Sequence, residues 1–290
     1  MFVDMNKKEI ETLQQKAKAI RMDLTEMLFR AGSGHWGGSL GMADVFAVLF
    51  FGGILKYNPK KPDWVERDRF ILSNGHIAPV YYAVLEEAGF FGDKKAQLRR
   101  TGSPLQGHPS HIHIEAVETS TGSLGQGVGV AVGKALALKL KKIDSRVFCV
   151  CSDGEHEEGS TWEAVASAGK FKLDNLIFIL DRNHLQISGT TEEVDNLGNI
   201  ANRYRDLGWE VYEVNGHDIP KILKVFSAIK APRGLPMGSH RVLRDKNPKP
   251  KLIIAKTIMG KGVKFIENDY HYHGRAPNEE EYNKAMELLK

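Results

Sequence analysis

The sequence has few cysteines, no long uninterrupted apolar segment and no large excess of charge of either sign. Its two cysteines, Cys149 and Cys151, supply neither a disulfide framework nor the four ligands of a structural zinc site. They lie two residues apart in an apolar run, so on a strand they would share one face, and we expect both to be buried and reduced. The formal net charge of +4 comes from 40 Lys and Arg against 36 Asp and Glu residues, which is too small an excess for a nucleic-acid-binding surface.

Membrane segments are absent from the sequence as well. The first ten residues, MFVDMNKKEI, lack the apolar core of a signal peptide, and the longest apolar run, residues 42–55, contains Asp44 and two glycines. We therefore expect a cytoplasmic protein that binds neither membranes nor nucleic acids.

Hydrophobic residues make up 42% and charged residues 26% of the sequence, a balance typical of a soluble globular protein. Apolar residues at spacings of three and four after Asn6 predict a long first helix. Strand-like segments then alternate with helical patterns; the segments are RFIL, RVFCVC, LIFIL, EVYEV and LIIAKTI. This alternation predicts an α/β fold, a parallel sheet with helices on both faces, in one domain spanning residues 1–290. Residues 231–251, rich in Pro, Gly and basic side chains, are predicted to form a solvated surface loop.

One β-α-β unit carries residues suited to binding a metal. RVFCVC should end at Ser152 and be followed by Asp153, while Asn183 follows the strand LIFIL. Because the two strands would be parallel, their carboxyl ends meet at one edge of the sheet, and Asp153 and Asn183 should lie close together. The helix between them should pack through the apolar residues Trp162, Val165, Ala166 and Gly169.

Magnesium prefers oxygen ligands and is often held by one or two protein oxygens together with phosphates. Asp153 and the amide of Asn183 therefore suit a Mg2+-diphosphate complex, and Gly154 would let the backbone approach the phosphates closely. Taken singly, Asp-Gly could equally be a turn and Asn183 a helix cap.

Histidines lie beside glycines in four loops, as His35, His76, His108 and His273. Glycine gives such loops the backbone freedom to place an imidazole at a ligand, and a pKa near 6.5 allows proton transfer near neutral pH. His76 directly follows the strand RFIL, so it should lie at the same sheet edge as Asp153. Four other histidines are expected to be structural or exposed; they are His111, His113, His217 and His271.

The segment SDGEHEEGSTWEAVASAGKFKLDNLIFILDRNHLQISG resembles the metal- and diphosphate-binding motif of transketolases, which depend on thiamine diphosphate. The segments AGSGHWGGSLGMADV, RDRFILSNGH, LQGHP and HYHGRAP resemble the same family. The resemblance covers nearly the whole sequence but less than half of a full-length transketolase. It departs from the family at Ser152, which replaces the first glycine of GDG, at Ser123, where many members have proline, and at Arg182, where many have a second asparagine.

The resemblance implies a role for each matching residue. The Mg2+ ligands would be Asp153, the Asn183 side chain and the backbone carbonyl of Leu185. Contacts to the diphosphate would come from Gly154, His76 and His273, and the thiamine pocket would be lined by Gly122, Ser123 and Leu124. His35, His108 and His273 would bind the sugar and relay protons as catalytic residues, and Glu158 would join a network at a subunit interface.

In the segment TSTGSLGQGVGVAVGKALALKL, glycines recur at the start of a helical pattern, although glycine in a helix interior costs roughly 0.5 to 1 kcal/mol relative to alanine. Close packing inside the domain and contact across a subunit interface both explain them, and the resemblance favours the interface. These glycines are Gly125, Gly127, Gly129 and Gly133.

The glutamate that activates thiamine diphosphate in transketolases lies in a second, pyrimidine-binding domain, which this sequence lacks, as it lacks the C-terminal domain. Either the chain is one subunit of a split enzyme or the sequence is truncated, and the closing pattern EEEYNKAMELLK favours the split enzyme. We expect a C-terminal partner subunit that supplies the glutamate, in an α2β2 heterotetramer with cofactor sites between unlike chains.

The resemblance thus implies a transferase of carbohydrate metabolism, a transketolase that moves a two-carbon glycolaldehyde unit from a ketose or ketose phosphate to an aldose. The alternatives are the alpha chain of a thiamine-dependent 2-oxoacid dehydrogenase and a non-catalytic phosphate-binding module. The loops with His35, His108 and His273 favour sugars. The sequence leaves open whether the sugar is a pentose phosphate, a sulfonated sugar or a branched sugar phosphate.

Overall fold

The computed structural model describes residues 6–229 and 248–290. The first helix begins after Asn6, whose side chain accepts a hydrogen bond from the Lys8 amide, and ends at Gly32 in the left-handed conformation (φ 67°). The helices are α1 (Lys7–Ala31), α2 (Trp36–Phe51), α3 (Ala78–Glu87), α4 (Gln126–Leu140), α5 (Gly159–Lys170), α6 (Thr191–Val194), α7 (Ile200–Asp206), α8 (Ile219–Ile229) and α9 (Glu279–Leu289).

A parallel five-stranded sheet forms the centre of the described part, with strand order β1-β2-β3-β7-β6. The five segments expected from the sequence all form strands of this sheet. A separate short antiparallel hairpin, β4-β5, follows β3. The strands are β1 (Arg69–Leu72), β2 (Val147–Ser152), β3 (Leu176–Arg182), β4 (Leu185–Gln186), β5 (Gly189–Thr190), β6 (Glu210–Asn215) and β7 (Lys251–Lys256).

Alternate residues of the central strands enter two hydrophobic clusters on opposite faces of the sheet. Phe148 and Val150 of β2 face a cluster that includes buried residues of α1, α2, α3, α8 and α9. Cys149 and Cys151 face the other cluster, which includes residues of α4, α5 and α7, and both are buried free thiols. The predicted α/β fold with helices on both faces is therefore confirmed, as is the shared face of the two cysteines.

Two local predictions need correction. On α5 the buried residues are Thr161, Ala164, Val165 and Ala168. The buried face is therefore shifted by one position from the predicted one, which has the same spacing of three and four, and the predicted core residue Ala166 is exposed. The segment LIIAKTI leaves the sheet after Lys256, and Thr257 already belongs to the following loop. Most of the predicted basic loop, residues 231–247, lies outside the described residues.

The glycines of α4 have different surroundings. A methyl group at Gly127 would approach Ser73 at 2.5 to 2.8 Å, so close packing inside the domain explains this glycine. Gly129 and Gly133 are exposed, and no atom of the described residues lies within 4 Å of a methyl group placed there. None of the helices in residues 6–229 and 248–290 is long and apolar enough to cross a membrane.

Candidate active site

A cavity of about 280 Å³ opens at the carboxyl edge of the sheet, where β2 and β3 end side by side. This volume is near the lower end of the range for small-molecule sites. The cavity contains most of the residues that the sequence singled out, together with some that it did not. Its lining residues are His35, Gly38, His76, His108, Gly122, Leu124, Ser152, Asp153, Gly154, Asp181, Asn183, Leu185, Gln186, Ile187 and His273.

Asp153 and Asn183 meet at this edge as the parallel-strand argument predicts. Asp153 is buried, and its two oxygens accept hydrogen bonds from the backbone amides of Gly154 (2.9 Å) and His184 (2.7 Å). Burial raises the pKa of the Asp153 carboxyl, against the opposing charge of Arg182. His184 has a positive φ of 65°, and this turn directs its amide toward Asp153.

Asp181, which the sequence reasoning missed, completes what we call the acidic side of the cavity, formed by Asp153, Asp181 and Asn183. The Asn183 amide nitrogen donates to Asp181 (3.2 Å), and its oxygen accepts from the Leu185 amide (2.9 Å). The Thr257 hydroxyl donates to the other Asp181 oxygen. Burial, reinforced by the charge of Asp153, raises the pKa of Asp181 to about 7.

Three histidines from distant loops form the histidine side: His35, His76 and His273. Their ring centroids are 4.9 Å apart for His35 and His76, 5.5 Å for His35 and His273, and 5.4 Å for His76 and His273. His35 directly precedes α2, while His76 lies in the turn after β1. Sequence positions 35, 76 and 273 therefore converge on one wall.

Burial lowers the pKa of each of these imidazoles, to about 4 for His35, so the rings are neutral near pH 7. A neutral imidazole has one nitrogen that donates and one that accepts. The Nδ1 atoms of His35 and His273 are buried and have no hydrogen-bond partner in residues 6–229 and 248–290. Since buried polar atoms are normally paired, these nitrogens are suited to a bound polar ligand.

The remaining predicted site residues lie at the rim or outside the cavity. His108 is exposed and its ring packs against Gly122, where a methyl group would lie 3.1 Å from the ring. Ser123 is exposed and does not line the cavity, in contrast to Gly122 and Leu124. Glu158 is also exposed, and its Cβ lies beside Gly125 at the start of α4.

His217 is a structural histidine beneath the histidine side. Its Nε2 accepts a hydrogen bond from the Ile258 amide (2.8 Å), so its Nδ1 carries the proton donated to Asp44 (2.8 Å). Asp44 also accepts two hydrogen bonds from the Arg21 guanidinium. This network joins α1 and α2 to the loop after β7, and that loop leads to His273. His111, His113 and His271 are exposed.

Arg99 is a second functional candidate that the sequence reasoning missed. Its guanidinium lies beside Gly107, where a methyl group would approach it at 3.2 to 3.3 Å. Its positive charge helps to lower the pKa of His35 and of His108, after burial and, for His35, the charge of His273. Arg99 has a positive φ of 59°, a local feature that is not visible in the sequence.

The donor set fits a magnesium-diphosphate group better than a metal held by the protein alone. Among the described residues, no cluster of three or more His, Cys, Asp or Glu side chains could hold a metal ion. Asp153 and Asn183 offer one carboxylate and one amide oxygen, so phosphate oxygens and water would have to complete an octahedral shell. The unpartnered histidine nitrogens lie across the same cavity. The fold and the cavity thus define an α/β protein with a polar cavity at the carboxyl edge of the sheet, whose donor set suits a metal-bound diphosphate.

Comparison with known proteins identifies the family to which this α/β protein belongs. The family described as "Transketolase, thiamine diphosphate binding domain" matches residues 12–289. The chain is 38% identical to an apulose-4-phosphate transketolase subunit of Phocaeicola vulgatus, covering 96% of this chain and 94% of that protein. It is 35% identical to the 6-deoxy-6-sulfo-D-fructose transketolase subunit SqwG of a Clostridium species, covering 99% and 98%.

The fold agrees with these sequence matches. The crystal structure of transketolase from Campylobacter jejuni superimposes with a TM-score of 0.87 at 36% identity. That match covers 98% of this chain but 43% of the solved chain, so this chain spans less than half of that enzyme. The chain belongs to the transketolase family, as a thiamine-diphosphate-binding domain, and the resemblance noted in the sequence is confirmed.

Proposed function

We propose that this chain is the thiamine-diphosphate-binding subunit of a split transketolase, which transfers a two-carbon ketol unit from a ketose to an aldose in the cytoplasm. The observation that carries the proposal is the match over almost the full length of two proteins named as transketolase subunits. The cavity agrees with it, because most of the residues expected to bind cofactor and sugar line it at one edge of the sheet.

On the acidic side, Asp153, the Asn183 oxygen and the Leu185 carbonyl are proposed to hold Mg2+. Gly154 would lie against the diphosphate, since no side chain of its own blocks the approach. When bound, thiamine diphosphate supplies the carbanion chemistry that breaks and forms the carbon-carbon bond. The chain's own residues bind, orient and exchange protons around it.

On the histidine side, neutral imidazoles are suited to hydrogen bonds with hydroxyl groups and with phosphate or developing oxyanion charge. We assign His76 to the diphosphate and His273 to both diphosphate and sugar. His35 and His108 are assigned to the sugar, where they would also relay protons. His35 and His273 are supported by their buried Nδ1 atoms, which have no hydrogen-bond partner among the described residues.

The partner is proposed to be a C-terminal transketolase subunit that supplies the activating glutamate and joins this chain, residues 1–290 forming one domain, in an α2β2 heterotetramer. The thiamine would lie between Gly122, Ser123 and Leu124 and that partner. Glu158 and the exposed glycines of α4 would belong to a subunit contact. Their exposure and the absence of any atom near Gly129 and Gly133 among the described residues support this assignment.

Reconstitution tests the proposed function. The chain is co-expressed with a candidate C-terminal transketolase subunit, and the complex is given Mg2+, thiamine diphosphate, an aldose phosphate acceptor and a panel of ketose phosphates, sulfoketoses and branched ketose phosphates. We expect a new ketose to form only when both chains are present. Full activity of this chain alone would contradict the split enzyme. Release of carbon dioxide from a 2-oxoacid without ketol transfer would indicate a 2-oxoacid dehydrogenase chain instead.

A further inference from the structure

Arg182 is a cation placed directly beside the carboxylate proposed to bind the metal. Its Nη1 atom lies 3.3 Å from Asp153 Oδ2, and the two side chains are only 16% and 2% exposed. Water therefore screens this pair weakly. The carboxylate that Mg2+ would use already faces one full positive charge from the same chain.

Arg182 is held in place from the opposite side. Its Nη2 donates to Glu192 (2.6 Å), and its Nη1 donates to Thr191 (3.0 Å), both in α6. The ring of His184 contacts the same Glu192 oxygen at 2.8 Å. With three partners on two elements, the guanidinium cannot turn away from Asp153 without breaking charge-assisted hydrogen bonds.

We propose that Arg182 makes metal binding by this chain conditional on a diphosphate. This inference rests on the proposed function of the site. Arg182 offsets the charge of Asp153 and so reduces the electrostatic gain of a free divalent cation, which would otherwise meet only Asp181 and the uncharged Asn183. A metal already bound to diphosphate arrives with a surplus of negative charge, which the same guanidinium attracts rather than repels. The site would thus take up the metal-diphosphate pair and hold the free metal weakly.

If Arg182 had only a structural role, it would hold α6 against the end of β3 and would not change the affinity of the chain for a divalent cation. Two substitutions separate the possibilities. Arg182→Met removes the charge and retains much of the aliphatic volume, while Glu192→Gln keeps the charge of Arg182 and weakens the connection to α6. Arg182→Asn is a third variant, which replaces the charge with a neutral polar side chain.

The test is equilibrium dialysis of the full chain against Mn2+, alone and together with inorganic diphosphate, for the native chain, these three variants and Asp153→Ala. We expect Arg182→Met and Arg182→Asn to bind Mn2+ alone more tightly than the native chain, on the order of tenfold, with a much smaller gain when diphosphate is present. Glu192→Gln should leave Mn2+ binding unchanged or weaken it, because it removes a negative charge beside Arg182. Thermal melts establish that each variant is folded.

The inference is overturned if both Arg182 variants bind Mn2+ alone with an affinity within twofold of that of the native chain, or if neither the variants nor the native chain bind it at all. It is also overturned if Glu192→Gln raises the affinity for Mn2+ as much as the Arg182 variants do. The proposed function fails differently. If the native chain, also when assembled with its partner, retains no Mn2+ in the presence of diphosphate, or if Asp153→Ala retains it unchanged, the metal site itself is misassigned.

Discussion

The acidic and histidine sides of the cavity differ in how fully their own polar atoms are paired. On the acidic side, both oxygens of Asp153, both of Asp181 and the Asn183 oxygen accept hydrogen bonds from within the chain. On the histidine side, the Nδ1 atoms of His35 and His273 are buried without a partner among the described residues. The polar atoms of the acidic side are therefore paired without a ligand, whereas the histidine side has hydrogen-bonding capacity that the described residues do not use.

This difference has an energetic reason. Carboxylates are costly to bury, so the chain surrounds them with donors that hold them in one geometry. Imidazoles can be buried neutral at a smaller cost, and burial accordingly lowers the pKa of His35 and of His273. Substitutions on the two sides should accordingly affect different measurements.

The largest effect is expected for Asp153→Ala in the complex of this chain with its partner. The variant removes the one charged ligand proposed for Mg2+, so Mg2+-dependent binding of thiamine diphosphate should weaken by more than about a hundredfold. Isothermal titration with and without Mg2+ measures the effect. Asp174→Ala, which changes a partly exposed aspartate paired with Lys139, is the matched control and should bind normally. Equal binding by both variants would refute the assignment of the acidic side.

The acidic side was the part most accessible from the sequence. Asp153 and Asn183 could be brought together because strand polarity alone determines where the residues after β2 and β3 lie. The same reasoning placed His76. It missed Asp181, because the last positions of an apolar strand do not reveal whether a carboxylate faces a cavity or the solvent.

Contacts between distant segments could not be predicted. Asp44 and His217 are 173 positions apart, and their hydrogen bond depends on how α2 packs against the loop after β6. The hydrogen bond from the His184 amide to Asp153 accompanies a positive φ at His184, which the strand pattern does not reveal. Periodicity also left the face of α5 uncertain by one position, so Ala166 was placed in the core.

The next prediction compares an unpaired histidine of the cavity with a paired histidine of the core that has a similarly lowered pKa. Burial lowers the pKa of both His35 and His156 to about 4, yet both ring nitrogens of His156 are paired, with the Ser152 carbonyl and the Tyr204 hydroxyl. At pH 7, His156→Asn should reduce the free energy of unfolding by roughly 2 to 3 kcal/mol, because it breaks a packed, paired site. His35→Asn should change it by less than about 1 kcal/mol.

The lowered pKa values of His35 and His156 also predict how the stability of the chain depends on pH. Because the folded-state pKa lies below the unfolded value of 6.5, only the unfolded chain gains the proton as the pH falls from about 6.5 to about 4, and stability is lost across that window. For His156 the loss is about 3 kcal/mol. Urea denaturation at pH 7 and pH 4.5 should show a shallower acid loss for either variant than for the native chain. A cost at pH 7 for His35→Asn as large as that for His156→Asn would contradict the distinction between the sides.

The smallest predicted changes in stability come from substitutions in α4, the helix that packs against β2 and β3, the strands after which Asp153 and Asn183 follow. The Gly125 amide at its start donates to Glu155, and Ser73, which packs against Gly127, donates to the same carboxylate. A methyl group at Gly127 would lie 2.8 Å from the Ser73 backbone, so Gly127→Ala should cost roughly 1 to 3 kcal/mol of stability.

Gly129→Ala in the same helix is the control, because no described atom lies within 4 Å of the added methyl group. In the isolated chain it should raise stability by roughly 0.5 to 1 kcal/mol, the gain from alanine over glycine in a helix interior. Urea denaturation of both variants measures the difference. Equal stability of Gly127→Ala and Gly129→Ala would show that α4 can move away from Ser73 at little cost. The proposal that the acidic side is held rigidly in one geometry would then be wrong.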